Sequence, residues 1–395
     1  MTRYDLLLKG GTLIDPLPGT HAPRDVAFSD RRVARVEAQI PASEATHIVD
    51  VSGLLVVPGM IDLHVHVFEG VSYLGIPPDE TCLARGVTTV VDAGTSGADT
   101  FPGFRKYVIE TSATRIYAHL NISSQGMLSP AIGELDELKW ADVPRALQTI
   151  EANRDRILGV KVRLTRDSVV GQDAGLRPLY RAREAAAAAR LPIMVHPQNA
   201  WCTSLDDVLA VMVAGDIRTH SYHGLNHGIL DERGKIRPAV RAARERGVLF
   251  DVGHGAGSFS WQTCESALAQ EFLPDTISTD LHTRNVHGPV YDLATTVSKF
   301  LHLGLSLDEA LAKVTAVPAR VLGDAAVDHE SGARLGTLSV GAWGDAAVLE
   351  LREGTFDLID CHKQVRQAGQ VLVPRLVIAG GRVYDGPKAP VVHAH

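Results

Sequence analysis

Through the middle of this 395-residue chain, apolar runs alternate with helical stretches. GVTTVVDAG, ILGVKVRLT, LPIMVH, VLFDVGHG and TISTDLH are interleaved with segments such as LRPLYRAREAAAAAR and LDEALAKVTAVPARVLG. Runs that are apolar on both faces and separated by amphipathic helices call for a parallel sheet with βα crossovers. The size of the region suits a (β/α)8 TIM barrel. An open doubly wound sheet is the competing architecture. Against it, no G-x-G-x-x-G follows the first of these runs, and reactive side chains close many runs rather than one switch point.

Both chain ends have another texture. YDLLLKGGTLID, DVAFSDRRVARV and HIVDVSGLLVV precede the alternating region; AVLELREG, QVRQAGQVLV and PRLVIAGGRVYD follow it. These are short β-rich runs broken by Gly or charged turns. The expected fold is therefore α/β: residues 58–334 form the barrel, while residues 1–57 and 335–395 pair in a small β-sandwich built from both ends.

Composition narrows the partners. With 39 basic and 46 acidic side chains the formal charge is -7, which disfavours nucleic acid and anionic lipid and favours a small-molecule substrate. The apolar patch before Lys9 is too short for a signal-peptide core and no stretch has the length of a membrane span, so a cytoplasmic protein is expected. Cys82, Cys202, Cys264 and Cys361 show no C-x-x-C spacing and are expected as free thiols, with Cys202 and Cys264 near candidate site loops.

The run PGMIDLHVH ends in two histidines one residue apart. In a strand, residues i and i+2 share a face, so His64 and His66 converge; at a barrel mouth they form half of a metal site. Asp62 lies on the same face one layer lower, where it could hydrogen-bond a ligand imidazole. An isolated H-x-H is common, and buried histidines often only satisfy a hydrogen-bond partner. Other runs add weight: Lys161 lies inside GVKVRLT, His196 ends PIMVH, His220 and His223 lie in DIRTHSYHG, and Asp280 lies in STDLH. A buried lysine is rare without a partner. Burial lowers its pKa and exposes a neutral amine, which can take up carbon dioxide as a carbamate. The plainer alternative is a lysine snorkelling to the mouth beside a carboxylate.

In combination, VVPGMIDLHVH, GVKVR, VHPQ, THSYHG, STDLH, VTAVPARVLG and GTLSVGAWGDAAVLEL resemble the amidohydrolase superfamily of metal-dependent hydrolases over nearly the whole chain. The similarity is greatest to its dihydroorotase-like and deacetylase-like branch, including acetyl-mandelate esterase-like enzymes. Val317 and the Gly344-Asp345 pair depart from the usual pattern, away from the ligand positions. The resemblance implies two divalent ions, Zn2+ or Mn2+. His64, His66 and Asp280 would hold one, His196 and His220 the other, with a carbamate on Lys161 bridging them. Of the two histidines after the sixth strand, the strand-face rule favours His220 as ligand and leaves His223 to the substrate pocket.

Such a centre activates water and polarises a carbonyl. Asp280 is the expected general acid/base. Arg163 follows Lys161 by two positions and should face the same mouth, where a guanidinium clamps a substrate carboxylate. Arg284, Arg166, His254 and His282 are further pocket candidates, with loop-holding contacts as the plainer reading. The loops at 68–80, 123–142 and 255–263 are expected to line or cover the pocket. The expected reaction is hydrolysis of an acyl ester or amide of a small carboxylate, such as an N-acyl amino acid or acetylated 2-hydroxy acid. A cyclic-amide hydrolase, a deaminase and a non-catalytic scaffold are the alternatives. A homo-oligomer is expected of such folds.

Overall fold

The computed structural model describes residues 3–166 and 168–386. The end of the expected C-terminal segment, 387–395, lies outside the described residues. Seven parallel strands form one sheet in sequential order: β1 (Met60–Val65), β2 (Val87–Gly97), β3 (Arg115–Asn121), β4 (Ile157–Arg163), β5 (Ile193–His196), β6 (Ile217–Arg218) and β7 (Leu249–Phe250). Their side chains are almost wholly buried, as strands covered by helices on one side and packed into an interior on the other must be.

The eighth position is occupied by an irregular segment, 276–281. It pairs in parallel with both edges through isolated bridges, Asp251 with Thr276 and Val65 with Leu281. Val252 N donates to Thr276 O at 3.1 Å and His66 N to Leu281 O at 3.0 Å, so the sheet closes on itself. The segment does not form a regular strand because its polar side chains are drawn to buried carboxylates and Asp280 has a left-handed backbone, φ 50°. The expected barrel is thus present, with its last wall held by hydrogen bonds from side chains as well as backbone.

Outside the barrel, helix Arg177–Ala189 begins with Pro178 in its first turn and shows why the alanine run is there. Ala182, Ala185, Ala186 and Ala189 are fully buried, and their spacing places four methyl groups on one face against the sheet. Larger side chains on that face would hold the helix away.

The two chain ends do meet. A four-stranded sheet contains Arg32–Glu37, Asp25–Ser29, Tyr4–Lys9 and Ala45–Asp50. A six-stranded sheet joins Thr20–Pro23, Thr12–Asp15 and Leu55–Pro58 to Ala346–Ile359, Val365–Ala379 and Arg382–Val383. Leu6, Leu8, Val26 and Phe28 pack between them against Val56, Val348 and Ile378. One feature differs from a simple sandwich. The C-terminal hairpin runs beyond it as a long ribbon onto barrel helices Trp261–Leu268 and Leu293–His302: Trp261 Nε1 donates to Gln364 O, and Leu372 N donates to Ser298 Oγ. Among the described residues no helix is long and apolar enough to cross a membrane.

At the end of the barrel opposite the histidines, Asp216 is fully buried. It accepts Arg183 Nη1 at 2.9 and 2.8 Å, Ile193 N at 2.8 Å and Val213 N at 2.7 Å, fastening the starts of β5 and β6 to a helix. Removing one member of a buried ion pair strands the other groups, at a cost of about 3–5 kcal/mol. Asp216→Ala is therefore expected to lower the denaturation midpoint markedly. An unchanged midpoint would show that the carboxylate does not hold this end.

Candidate active site

β1 delivers His64 and His66 to the barrel mouth with both rings on the interior face, as strand parity requires. The closing segment brings Asp280 against them: its Oδ1 lies 3.0 Å from His66 Nε2 and 3.3 Å from His64 Nε2. One ligand atom from each of the three residues falls within 4.8 Å of the others. Lys161 reaches the same point from β4, with Nζ 3.4 Å from His64 Nε2 and 3.5 Å from Met194 Sδ. His220, just beyond β6, sits with its ring centroid 4.9 Å from that of His64, and His196 lies 4.2 Å from His220. All six expected ligand residues are brought together. Two of them, His220 (φ 57°) and Asp280 (φ 50°), hold left-handed backbones, a strained state typical of sites where geometry is imposed.

Burial shapes the charge state. Desolvation pushes the Lys161 ammonium down to about 8, partly opposed by Asp280. Among the described residues no carboxylate lies within salt-bridge distance of it, so the snorkelling, paired lysine is not what is found. His196 and His220 are driven well below the usual imidazole range by burial first; His220, Arg163 and Lys161 add to this at His196, whereas Asp280 opposes it at His220, and both rings stay neutral. Burial alone would raise Asp280, but His64, His66 and His282 hold it well below the usual carboxylate range. The result is a pair of neutral imidazoles, His196 and His220, beside an anionic carboxylate, with His64, despite its burial, held more basic than usual by Asp280 and Asp251, and the Lys161 ammonium easier to deprotonate than usual. The donors suit divalent cations: the Nδ1 atoms of His64 and His66 are engaged by the hydroxyls of Thr219 and Thr95, at 2.8 and 2.7 Å, while both Nε2 atoms face one Asp280 oxygen.

The mouth above this cluster is lined by Tyr73, Leu74, Met127, Arg163, Gln198, Leu225, Ser258, His282 and Arg284, among others. The three loops expected there thus supply Tyr73 and Leu74, Met127, and Ser258. Arg163 Nη1 donates to the Tyr73 hydroxyl at 3.2 Å and lies 3.5 Å from Glu134 Oε2. Arg284 stands over the Tyr73 ring, 5.1 Å from its centre, on the solvent side. His282 Nε2 is 3.9 Å from Asp280 Oδ2. Gln198, Tyr73, Ser258 and Glu134 escaped the sequence reading; Gln198, two residues beyond His196 in VHPQ, was the one a spacing rule could have found.

Other expectations need correction. His223 is turned away from the mouth: its Nε2 is 3.3 Å from Arg218 Nη2 and its Nδ1 accepts from Leu225 N, so Leu225 faces the pocket instead. His254 is also turned away, accepting from Lys299 Nζ at 2.7 Å and stacking on Phe259 at 4.6 Å. Both rings are spent on buried basic side chains. Arg166 is exposed over Trp201. Asp62 binds no imidazole; it accepts from Thr279 Oγ1 at 2.6 Å and from the backbone N of His64 at 3.1 Å. Cys202 and Cys264 are free thiols away from the mouth lining, Cys264 on the buried face of helix Trp261–Leu268.

Comparison with known proteins places this geometry. No family model matches the chain. A deacetylase of Agrobacterium fabrum is 35% identical over 353 residues, covering 89% of this chain and 84% of that protein. A crystal structure described as an adenine deaminase superposes with TM-score 0.86 at 34% identity, covering 97% of this chain and 100% of the other. One described as a dihydroorotase superposes with TM-score 0.85 at 31% identity, covering 98% and 99%.

Gly255 supports Asp280 from below. It has φ +57°, and a Cβ there would lie 2.6 Å from Asp280 Oδ2. Gly255→Ala is expected to push the carboxylate off His66 while the fold persists. A displacement near 1 Å at a reacting group costs about 100-fold in rate. A crystal structure and turnover of the variant test this; an unmoved Asp280 with full turnover would refute it.

Proposed function

The chain belongs to the deacetylase- and dihydroorotase-like branch of the metal-dependent amidohydrolases and is a metal-dependent hydrolase; from that premise we propose that it removes an acyl group from a small carboxylate-bearing substrate, using a two-metal centre. N-acyl amino acids and acetylated 2-hydroxy acids are the substrate classes in view. The observation that carries the reading is Lys161. Among the described residues no carboxylate pairs with this amine at salt-bridge distance; it is set among His64, His220 and Asp280, with Arg163 two residues further along the same strand face.

In this reading His64, His66 and Asp280 would hold one divalent ion, and His196 and His220 the other, with Zn2+ the expected metal and Mn2+ the substitute. The neutral form of Lys161 could add to carbon dioxide, losing a proton, and the resulting carbamate would give the centre one further anionic ligand residue. When bound, the ions supply a hydroxide nucleophile at neutral pH and polarise the scissile carbonyl.

The remaining steps belong to side chains. Asp280, held ionised by its histidines, accepts the proton of the attacking water and returns it to the leaving nitrogen or oxygen. His282 stands beside its outer oxygen and hydrogen-bonds the reacting groups. Arg163, oriented by Tyr73 and Glu134, and Arg284, stacked on Tyr73, take the substrate carboxylate from the same side of the mouth. Leu74, Met127 and Leu225 give the acyl or side-chain portion an apolar wall.

A cyclic-amide hydrolase is the second reading, favoured by the likeness to the dihydroorotase structure. A hydrolysis screen over N-acetyl amino acids of both hands, acetylated 2-hydroxy acids, dihydroorotate and hydantoins separates the two. Acyl release from the first groups is expected; ring opening alone would overturn the acyl reading.

Metal analysis of the purified protein is expected to find about two divalent ions per chain, and chelation should abolish hydrolysis, with Zn2+ or Mn2+ restoring it. Activity that survives complete metal removal would end the proposal. Arg163→Ala should raise KM for carboxylate substrates by roughly tenfold or more, as loss of a charge-assisted hydrogen bond does, with kcat less affected. An unchanged KM would remove Arg163 from substrate binding.

A further inference from the structure

Each histidine of the His64/His66 pair is backed by a hydroxyl that is itself backed by a buried carboxylate. The Thr95 hydroxyl lies 2.7 Å from His66 Nδ1 and donates to Asp92 Oδ2 at 2.7 Å. The Thr219 hydroxyl lies 2.8 Å from His64 Nδ1 and donates to Asp251 Oδ2 at 2.8 Å. Both threonines and both aspartates are buried.

The proton positions follow from valence. A threonine hydroxyl has one proton, and an ionised carboxylate only accepts. Each carboxylate is ringed by donors: Asp92 also accepts from Thr95 N and Val67 N, and Asp251 from Ser278 Oγ and Thr276 Oγ1. The hydroxyl proton is therefore committed to the carboxylate, and the hydroxyl oxygen accepts the Nδ1 proton of the imidazole. In its neutral form each ring then carries its lone pair on Nε2, the atom nearest the Asp280 oxygen, where a cation would be shared between them. His220 reaches the same end by another route, its Nδ1 donating to Gly253 O at 2.6 Å.

We propose that Thr95 and Thr219 are positioning residues for the metal centre. Each fixes the tautomer and ring plane of one histidine by passing its Nδ1 hydrogen bond to a buried carboxylate. The inference rests on the metal-binding reading above and deepens it. The two relays are anchored on different walls: Thr95 and Asp92 belong to β2, beside β1, whereas Thr219 follows β6 and Asp251 follows β7, on the other flank of β1 across the closing segment. The ring of His64 is thus set against one wall and that of His66 against another, so their separation depends on barrel closure rather than on β1 alone. The interposed hydroxyl also keeps each carboxylate charge one group further from the imidazole than direct contact would.

A purely structural role is the rival account, since Asp92 and Asp251 also fasten neighbouring strands. Thr95→Val and Thr219→Val keep side-chain shape and remove the hydroxyl; Thr95→Ser and Thr219→Ser keep it. Zn2+ affinity is read by competition with a chromophoric chelator, the visible band of the Co2+-loaded protein reports ligand geometry, and thermal melting of the metal-stripped protein reports the fold. Loss of a group that orients a metal-binding histidine weakens metal affinity by about 10–100-fold. That loss is expected in each valine variant, with a shifted Co2+ band, and the serine variants should bind within a few-fold of the parent. Valine variants that bind Zn2+ as the parent does overturn the proposal, whether or not they melt earlier. So do serine variants that bind as poorly as valine. Should Thr219→Val not fold, the Thr95 pair decides by the same criteria. If the parent protein binds no metal, the metal-centre reading itself fails, an outcome distinct from equal binding by parent and variants.

Discussion

Closure of the barrel by residues 276–281 is the constraint on which the rest of the structure depends. The segment lacks the regular ladder of its neighbours, yet it carries the backbone bonds that join β7 to β1. Asp280 N donates to His64 O at 2.7 Å, so the same contact that closes the sheet sets the aspartate beside the histidines. Thr276 and Ser278 bind Asp251, and Thr279 binds Asp62. A buried carboxylate is tolerated only where donors surround it. Here those donors come from the last wall, and the carboxylates in turn hold that wall in place. Fold and site are consequently one network.

The outer support extends further than the barrel. Lys299, fully buried on helix Leu293–His302, donates to His254 Nε2, to Pro289 O at 2.9 Å and to Ile359 O at 2.6 Å. Its three donors are met by three acceptors from three separate segments, one of them in the C-terminal ribbon. Arg218 is treated likewise, donating to His220 O and His227 O at 3.0 Å each. Both cations are held by neutral acceptors rather than carboxylates, and both are next to loops that carry site residues. The ribbon therefore helps hold the loop after β7 in place as well as completing the sandwich.

The legible residues were those marked by a local rule. Strand parity put His64 and His66 on one face, and the same parity put Arg163 beside Lys161. An ionisable side chain inside an apolar run singled out Lys161, and strand ends singled out His196 and Asp280. Thr95 and Thr219 were not legible, because hydroxyls are ordinary in strands and the partner of His64 lies 155 positions away. His223 and His254 misled for the complementary reason: a loop histidine can turn to either side, and here buried Arg218 and Lys299 claimed both rings. Asp62 had the right parity for an imidazole partner, but backbone and hydroxyl donors reached it first.

The sequence by itself determined that helices would cover a parallel sheet, that both ends would share a second sheet system, and that metal-suited side chains would lie in or just after the apolar runs. Those properties follow from residue periodicity and polarity, which are local. Only the tertiary structure decided which way loop histidines face, which hydroxyl backs each histidine of the His64/His66 pair, and that the final wall closes as an irregular segment. These depend on partners brought together by closure from distant parts of the chain, and no spacing rule reaches across the barrel.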